Sequence, residues 1–157
     1  MNATPSELLM RNFNEIFIEL DHVKRAALLA EYYVEDCLWI HPGGRLVGRD
    51  GINEAASEIR KHFPEYRYTV TGEIQTMFNV ATCRWGSGMP GQPFHYTGTD
   101  FLEERDGRVT RLYTFITSNY FCPEGKMYTS PSIGLSTSRP LGRPGVTHPI
   151  RCRAGRI

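Results

Sequence analysis

The chain has 157 residues, of which 40% are hydrophobic and 22% charged, and its net charge is +1. Those proportions describe one ordinary globular domain. No apolar run approaches the ~18 residues that a membrane span requires, and Met1–Pro5 lacks the basic-then-apolar pattern of a signal peptide. A cytosolic location with no membrane partner is therefore expected. Cys37, Cys83, Cys122 and Cys152 lie far apart with no C-x-x-C pair, which argues against a metal knuckle. Buried, reduced thiols are the reading for Cys37 and Cys83. Charge is uneven: residues 118–157 hold Lys126, Arg139, Arg143, Arg151, Arg153 and Arg156 against Glu124 alone, so residues 1–117 are acidic. An acidic body speaks against nucleic acid as its partner.

Thr4-Pro5-Ser6-Glu7 has the form of a helix start, with Thr4 as cap, Pro5 in the first turn and Glu7 closing a capping box. Leu9, Phe13, Ile16 and Leu20 follow as one apolar stripe. Asp21 can cap a second helix with a stripe of Val23, Ala26, Ala27, Ala30 and Tyr33, ending at Glu35-Asp36. Cys37–His41 reads as a short strand closed by Pro42-Gly43-Gly44, and Leu46–Gly48 as a brief return. Asp50 can cap a third helix carrying Ile52, Ala55, Ala56, Ile59 and Phe63, which Pro64 stops.

From Tyr66 the period changes to two. Strands are expected over Tyr66–Thr71, Glu73–Phe78 and Val80–Trp85, then a loop over the Gly/Pro-rich stretch Gly86–Pro93. Phe94–Glu103 and Val109–Ile116 form a hairpin about Asp106-Gly107, the strongest turn signal in the chain. Helices followed by a strand meander define an α+β fold. After about Ser118, prolines arrive among Gly, Ser and Thr and the periodicity lapses. The expected organisation is one domain over 1–117 and a loosely ordered basic tail over 118–157, which Phe121, Met127 and Tyr128 could anchor if it wraps the domain.

Three stretches carry a family resemblance: Tyr32–Pro42, Gly48-Arg49-Asp50-Gly51-Ile52, and Gly98-Thr99-Asp100-Phe101 with Asp106-Gly107-Arg108-Val109. Their order resembles the nuclear-transport-factor-2-like superfamily, and within it the SnoaL-like branch, over residues 5–117. The resemblance implies a cone-shaped barrel of strongly bent antiparallel sheet packed on three helices, enclosing an apolar pocket and commonly forming a homodimer through the sheet. Enzymes of this fold include ketosteroid isomerases, scytalone dehydratases, limonene-epoxide hydrolases and polyketide cyclases. They act on small, largely apolar molecules by acid/base chemistry, so no cofactor and no metal are expected. Other relatives are non-catalytic binding or dimerisation modules.

Strand parity narrows the chemistry. Phe94, Tyr96, Gly98, Asp100 and Leu102 share one strand face, on which Asp100 is the sole ionisable carboxyl. A desolvated acid there suits a general base or a neutral donor to an oxyanion, or else a structural hydrogen bond. Cys37, Trp39 and His41 share a face of the first strand. The resemblance puts His41 where the isomerases carry a catalytic Asp, Phe17 where they carry a Tyr, and Gly98 where the epoxide hydrolases carry an Arg. Asp100 and His41 are the catalytic candidates, with Tyr32, Tyr33 or Tyr96 as replacement phenols. His95 is expected to face outward unless a bulge intervenes. Trp39, Tyr33, Trp85, Phe94, Tyr96, Tyr113 and Phe115 are expected to line the pocket. The two functions left open are a cofactor-independent isomerase, dehydratase or cyclase for a polyketide-, terpenoid- or steroid-like molecule, and a ligand-binding or dimerisation module.

Overall fold

A computed structural model of the chain describes residues 2–117 and, for the backbone alone, residues 120–121 and 127–128. Helix α1 (Pro5–Arg11) starts as expected: the Thr4 hydroxyl accepts from the Glu7 amide and the Glu7 carboxylate accepts from the Thr4 amide. It then opens into a π-helical turn, Asn12–Ile16, where the Phe17 amide bonds to the Asn12 carbonyl at 2.9 Å. The wider turn brings Phe13, Ile16 and Phe17 inward together and leaves Leu20 exposed, outside the core stripe expected for it.

Helix α2 (His22–Tyr32) is capped by Asp21. Its buried face is Arg25 and Leu29; Val23, expected in the stripe, is exposed. Arg25 Nε donates to Asn53 Oδ1 at 2.7 Å, and its other nitrogens reach the Glu19 and Asn53 carbonyls and the Ser57 hydroxyl. A buried cation is tolerated where hydrogen bonds replace its water, and apolar periodicity has no way of signalling that.

Strand β1 spans Tyr33–His41, four residues longer at its start than the sequence suggests, because Tyr33 already pairs with Val109. Strand β2 (Gly44–Val47) folds back on it before helix α3 (Gly48–His62). Strands β3 (Arg67–Val70), β4 (Gln75–Met77), β5 (Val80–Met89), β6 (Gln92–Arg105) and β7 (Arg108–Ile116) complete the main sheet. The Gly86–Pro93 loop is largely absent: β5 and β6 run through it to a turn at Pro90-Gly91. A Cβ at Gly86 would collide with the Phe94 ring, and one at Gly88 with the Gln92 carbonyl, so these glycines permit close pairing rather than flexibility. Asp106 and Gly107 both take positive φ in the β6–β7 turn, as Asp-Gly predicts.

The seven strands form one strongly curved sheet in the order β2-β1-β7-β6-β5-β3, with β4 also on β5. Two points correct the expected barrel. The sheet does not close, and it is mixed: β1 runs parallel to β7. The helices pack into the concave side around Leu8, Leu9, Ile16, Leu29, Ile52, Leu102, Val109 and Leu112. A separate backbone ladder joins β8 (Tyr120–Phe121) to β9 (Met127–Tyr128); the rest of the tail expected over 118–157 lies outside the described residues. Among the described residues, no helix is long and apolar enough to cross a membrane.

Gly98, in the middle of β6, has no room for a side chain. A Cβ there would stand 2.5 Å from the Phe115 carbonyl oxygen and 2.7 Å from the Trp85 ring. Gly98→Ala should therefore destabilise the fold by roughly 1–3 kcal/mol, the range for overpacking, and shift tryptophan emission. An unchanged urea midpoint would show that the sheet absorbs the methyl group.

Candidate active site

The concave face of the sheet and the inner faces of the helices leave a cleft lined by Phe13, Phe17, Trp39, Ile59, Phe63, Tyr68, Trp85, Tyr96, Asp100 and Thr114. Its atom-free space is about 500 Å³, much of it mouth rather than closed cavity. Each element supplies part of the wall. The π-turn presents Phe13 and closes beside Phe17, α3 presents Ile59 with Phe63 at its end, and β3, β5, β6, β1 and β7 present one face each. The aromatic rings brace one another: Phe17 meets Trp39 edge-on at 5.1 Å, Tyr68 meets Trp85 edge-on at 5.3 Å, and Trp85 meets Tyr96 at 5.8 Å.

Asp100 sits in this apolar wall at 3% exposure. Trp85 Nε1 donates to Asp100 Oδ1 at 2.9 Å, an indole position that the missing side chain of Gly98 allows. Thr114, opposite Asp100 on β7, also hydrogen-bonds the carboxyl and itself accepts from Trp39 Nε1 at 3.0 Å. No ion pair with Asp100 occurs among the described residues. Burial pushes the carboxyl up to about 7, and the Trp85 and Thr114 hydrogen bonds pull it only part of the way back. Near neutral pH this acid exists in both forms, a condition suited to taking and returning a proton.

His41 does not reach the cleft wall. It lies one residue beyond the last β1–β7 pair, Ile40↔Tyr113, so strand β7 stands between it and Asp100, and two strand spacings make a backbone separation of roughly 10 Å. Its ring packs on Trp39 at 4.5 Å, and Nδ1 accepts the Gly43 amide at 3.2 Å. Burial pushes its pKa down to about 4, which keeps the imidazole neutral at pH 7.

The structure distributes the residues expected in the lining among cleft, core and outer surface. Trp39, Trp85 and Tyr96 face the cleft. Tyr33 lies deeper, wholly buried, with its hydroxyl donating to Asn12 Oδ1 at 2.8 Å. Tyr113 and Phe115 take the outer face of β7, where Phe115 is exposed and Tyr113 meets Phe101 edge-on. A bulge is the reason: Glu103 pairs with Arg111 and Glu104 with Val109, so Thr110 is an extra residue, and the inward set switches from Val109 to Leu112 and Thr114. A second irregularity, between Ser87 and Met89, frees residues 93–95 from regular pairing. Phe94 then turns out over Gly86 and is exposed, while His95 Nδ1 hydrogen-bonds the Tyr66 hydroxyl at 2.7 Å on the surface. Sequence reasoning missed Phe13, Phe17, Ile59, Phe63, Tyr68 and Thr114 as wall residues, although Phe13, Ile59 and Phe63 lay on the apolar helix stripes it had marked. Tyr32, one of the replacement phenols, accepts from Arg11 Nη1 at 2.8 Å away from the cleft. Cys37 and Cys83 are free and buried, their thiols pushed up to about 11 and about 12 by desolvation, as inert core cysteines should be.

The described residues thus form a curved-sheet α+β domain built around an aromatic cleft with one buried acid. Residues 14–112 match the SnoaL-like domain, and the chain belongs to that family. Among solved structures it is similar to a proposed isomerase of the SnoaL-like family from Agrobacterium tumefaciens, at 21% identity and TM-score 0.66, over 73% of this chain and 97% of that one. It is similar to IdmH, a proposed polyketide cyclase from Streptomyces antibioticus, at 20% identity and TM-score 0.56, over 71% and 91%. A de novo designed protein with a curved β-sheet shares the shape at 12% identity and TM-score 0.56, over 71% and 84%. No curated protein matches the chain.

The two shifted groups have opposite pH signatures. Native Asp100 keeps a proton that the unfolded chain has lost, so its contribution to stability falls as pH rises from about 4 to about 7. Native His41 refuses a proton that the unfolded chain takes up, so its contribution rises with pH from about 4 to about 6.5. In urea titrations across this range, wild type minus Asp100→Asn should slope downward and wild type minus His41→Asn upward. A flat difference for Asp100→Asn would mean that the carboxyl titrates like an exposed one.

Proposed function

We propose that the chain is a cofactor-independent isomerase or cyclase for a small, largely apolar molecule of polyketide, terpenoid or steroid type, with Asp100 as the group that moves the proton. The observation that supports this best is the Asp100 carboxyl itself, buried among aromatic rings and poised near neutral pH. In the ionised form it takes a proton from a carbon next to a ligand carbonyl, and the electron pair passes to the carbonyl oxygen. The protonated acid then returns the proton to a different carbon, or the enolate carbon adds to a second carbonyl of the same molecule, whose π electrons pass to its oxygen, and that oxygen takes the proton from the acid. Phe13, Phe17, Trp39 and Trp85 hold the ring system flat against the acid and exclude water. His41 acts in this reading through Trp39, whose ring it supports.

A second reading, binding without turnover, draws on one observation: among the described residues, Asp100 is the only carboxyl or imidazole in the wall. Deuterium exchange separates the two. In D₂O the protein should speed incorporation of deuterium next to the carbonyl of 2-tetralone, with a rise centred near pH 7. Asp100→Asn should lower that rate by about 10²–10⁴-fold, the usual worth of a positioned acid/base, while still binding the ketone. Binding with no exchange above buffer in wild type would favour the binding module.

A further inference from the structure

At the side of the cleft formed by α3, β3 and the β5–β6 pair lies a group of polar atoms that the proton transfer does not use. Arg60, on α3, is 3% exposed. Its Nη1 donates to the Tyr66 carbonyl at 2.9 Å, but Nε and Nη2 are buried without a hydrogen-bond partner. No carboxylate pairs with it among the described residues. In this it contrasts with Arg25, whose nitrogens are all engaged by carbonyl, amide and hydroxyl oxygens. Ser87, fully buried on β5 opposite Tyr96, likewise has a hydroxyl that makes no hydrogen bond of good geometry. A guanidinium stays charged in any protein environment, and leaving one buried with free donors is strongly unfavourable unless something else answers it.

Two cleft residues connect this group to the ligand space. Tyr68 and Tyr96 are both in the wall, and the Arg60 charge acts on both. Tyr66, whose carbonyl holds Arg60, stacks its ring on Tyr96 at 6.2 Å. Burial keeps both phenols protonated, so they are donors toward the cleft while Arg60 stands behind them. Asp100 lies further along the cleft, on the same inward face of β6 as Tyr96, with Thr114 and Trp39 beside it.

We propose that the Tyr68–Tyr96 hydroxyl pair, backed by Arg60 and Ser87, is a subsite for a negatively charged oxygen of the ligand, carboxylate or enolate. The ligand class is then an apolar ring system with an acidic oxygen at one end, held so that its reacting carbon faces Asp100. This rests on the pocket reading given above and specifies what the pocket selects.

Calorimetric titration at pH 6, where Asp100 is mostly neutral, with 2-naphthoate and its uncharged isostere 2-naphthamide tests it. Wild type should bind the naphthoate at least tenfold more tightly than the amide. Arg60→Met should bring that ratio to about one while leaving amide affinity within about threefold, and a Tyr68→Phe/Tyr96→Phe double variant should also collapse it. Should Arg60→Met fail to fold, the wild-type ratio and the tyrosine variant decide. Equal or tighter binding of the amide by wild type overturns the anion subsite while leaving the pocket reading intact. Binding of neither compound overturns both.

Discussion

The bond between the Trp85 indole and the Asp100 carboxylate organises this protein. A carboxyl enclosed by aromatic rings has no water to lean on, and what it receives instead is one indole N–H and one threonine hydroxyl. Both donors depend on neighbours. Trp85 reaches Asp100 because Gly98 yields its side-chain volume to the indole. Thr114 is turned inward by the bulge at Thr110 and is in turn tied to Trp39 on the parallel strand. Two donors soften the desolvation without abolishing it, which leaves the acid near neutrality rather than permanently ionised or permanently protonated.

Irregularities of the backbone decide what surrounds that acid. In a strand without bulges, side chains alternate strictly, and one inserted residue moves every later side chain to the other face. Here the β7 bulge sends Tyr113 and Phe115 outside and Thr114 inside, and the break near Ser87 does the same to Phe94. The π-turn is the helical counterpart, letting Phe13 and Phe17 enter the cleft from one short segment. The cleft's aromatic character thus comes from a few local departures from regularity, each of which also bends the chain to follow the curved sheet.

The same shape is found in natural relatives and in a designed protein, so the architecture by itself carries no activity. The buried polar groups of this chain fall into different kinds. Arg25 is a structural cation, saturated by oxygens of three neighbouring segments. Arg60 is similarly buried but unsaturated, and among the described residues Asp100 has no ion-pair partner. Asp100 is in the cleft wall itself, whereas Arg60 lies outside the lining and acts on it through Tyr68 and Tyr96.

Much of the frame was readable in the chain itself. The Thr4–Glu7 capping box, the Asp21 cap and the Asp106-Gly107 turn are local chemistry, set by atoms a few residues apart, and they appear where the residues require. The inward parity of Tyr96, Gly98, Asp100 and Leu102 was legible for the same reason, since that stretch of β6 is regular. The extra residue at Thr110, the parallel pairing of β1 with β7 and the burial of Arg25 and Arg60 were not. Those features depend on which strand or helix lies opposite, and no periodicity within a single segment records its partner. Residue types and short spacings therefore determined the elements and the one buried acid. Which rings face that acid, and that His41 stands two strands away from it, were decided only when the sheet curved and its registers locked.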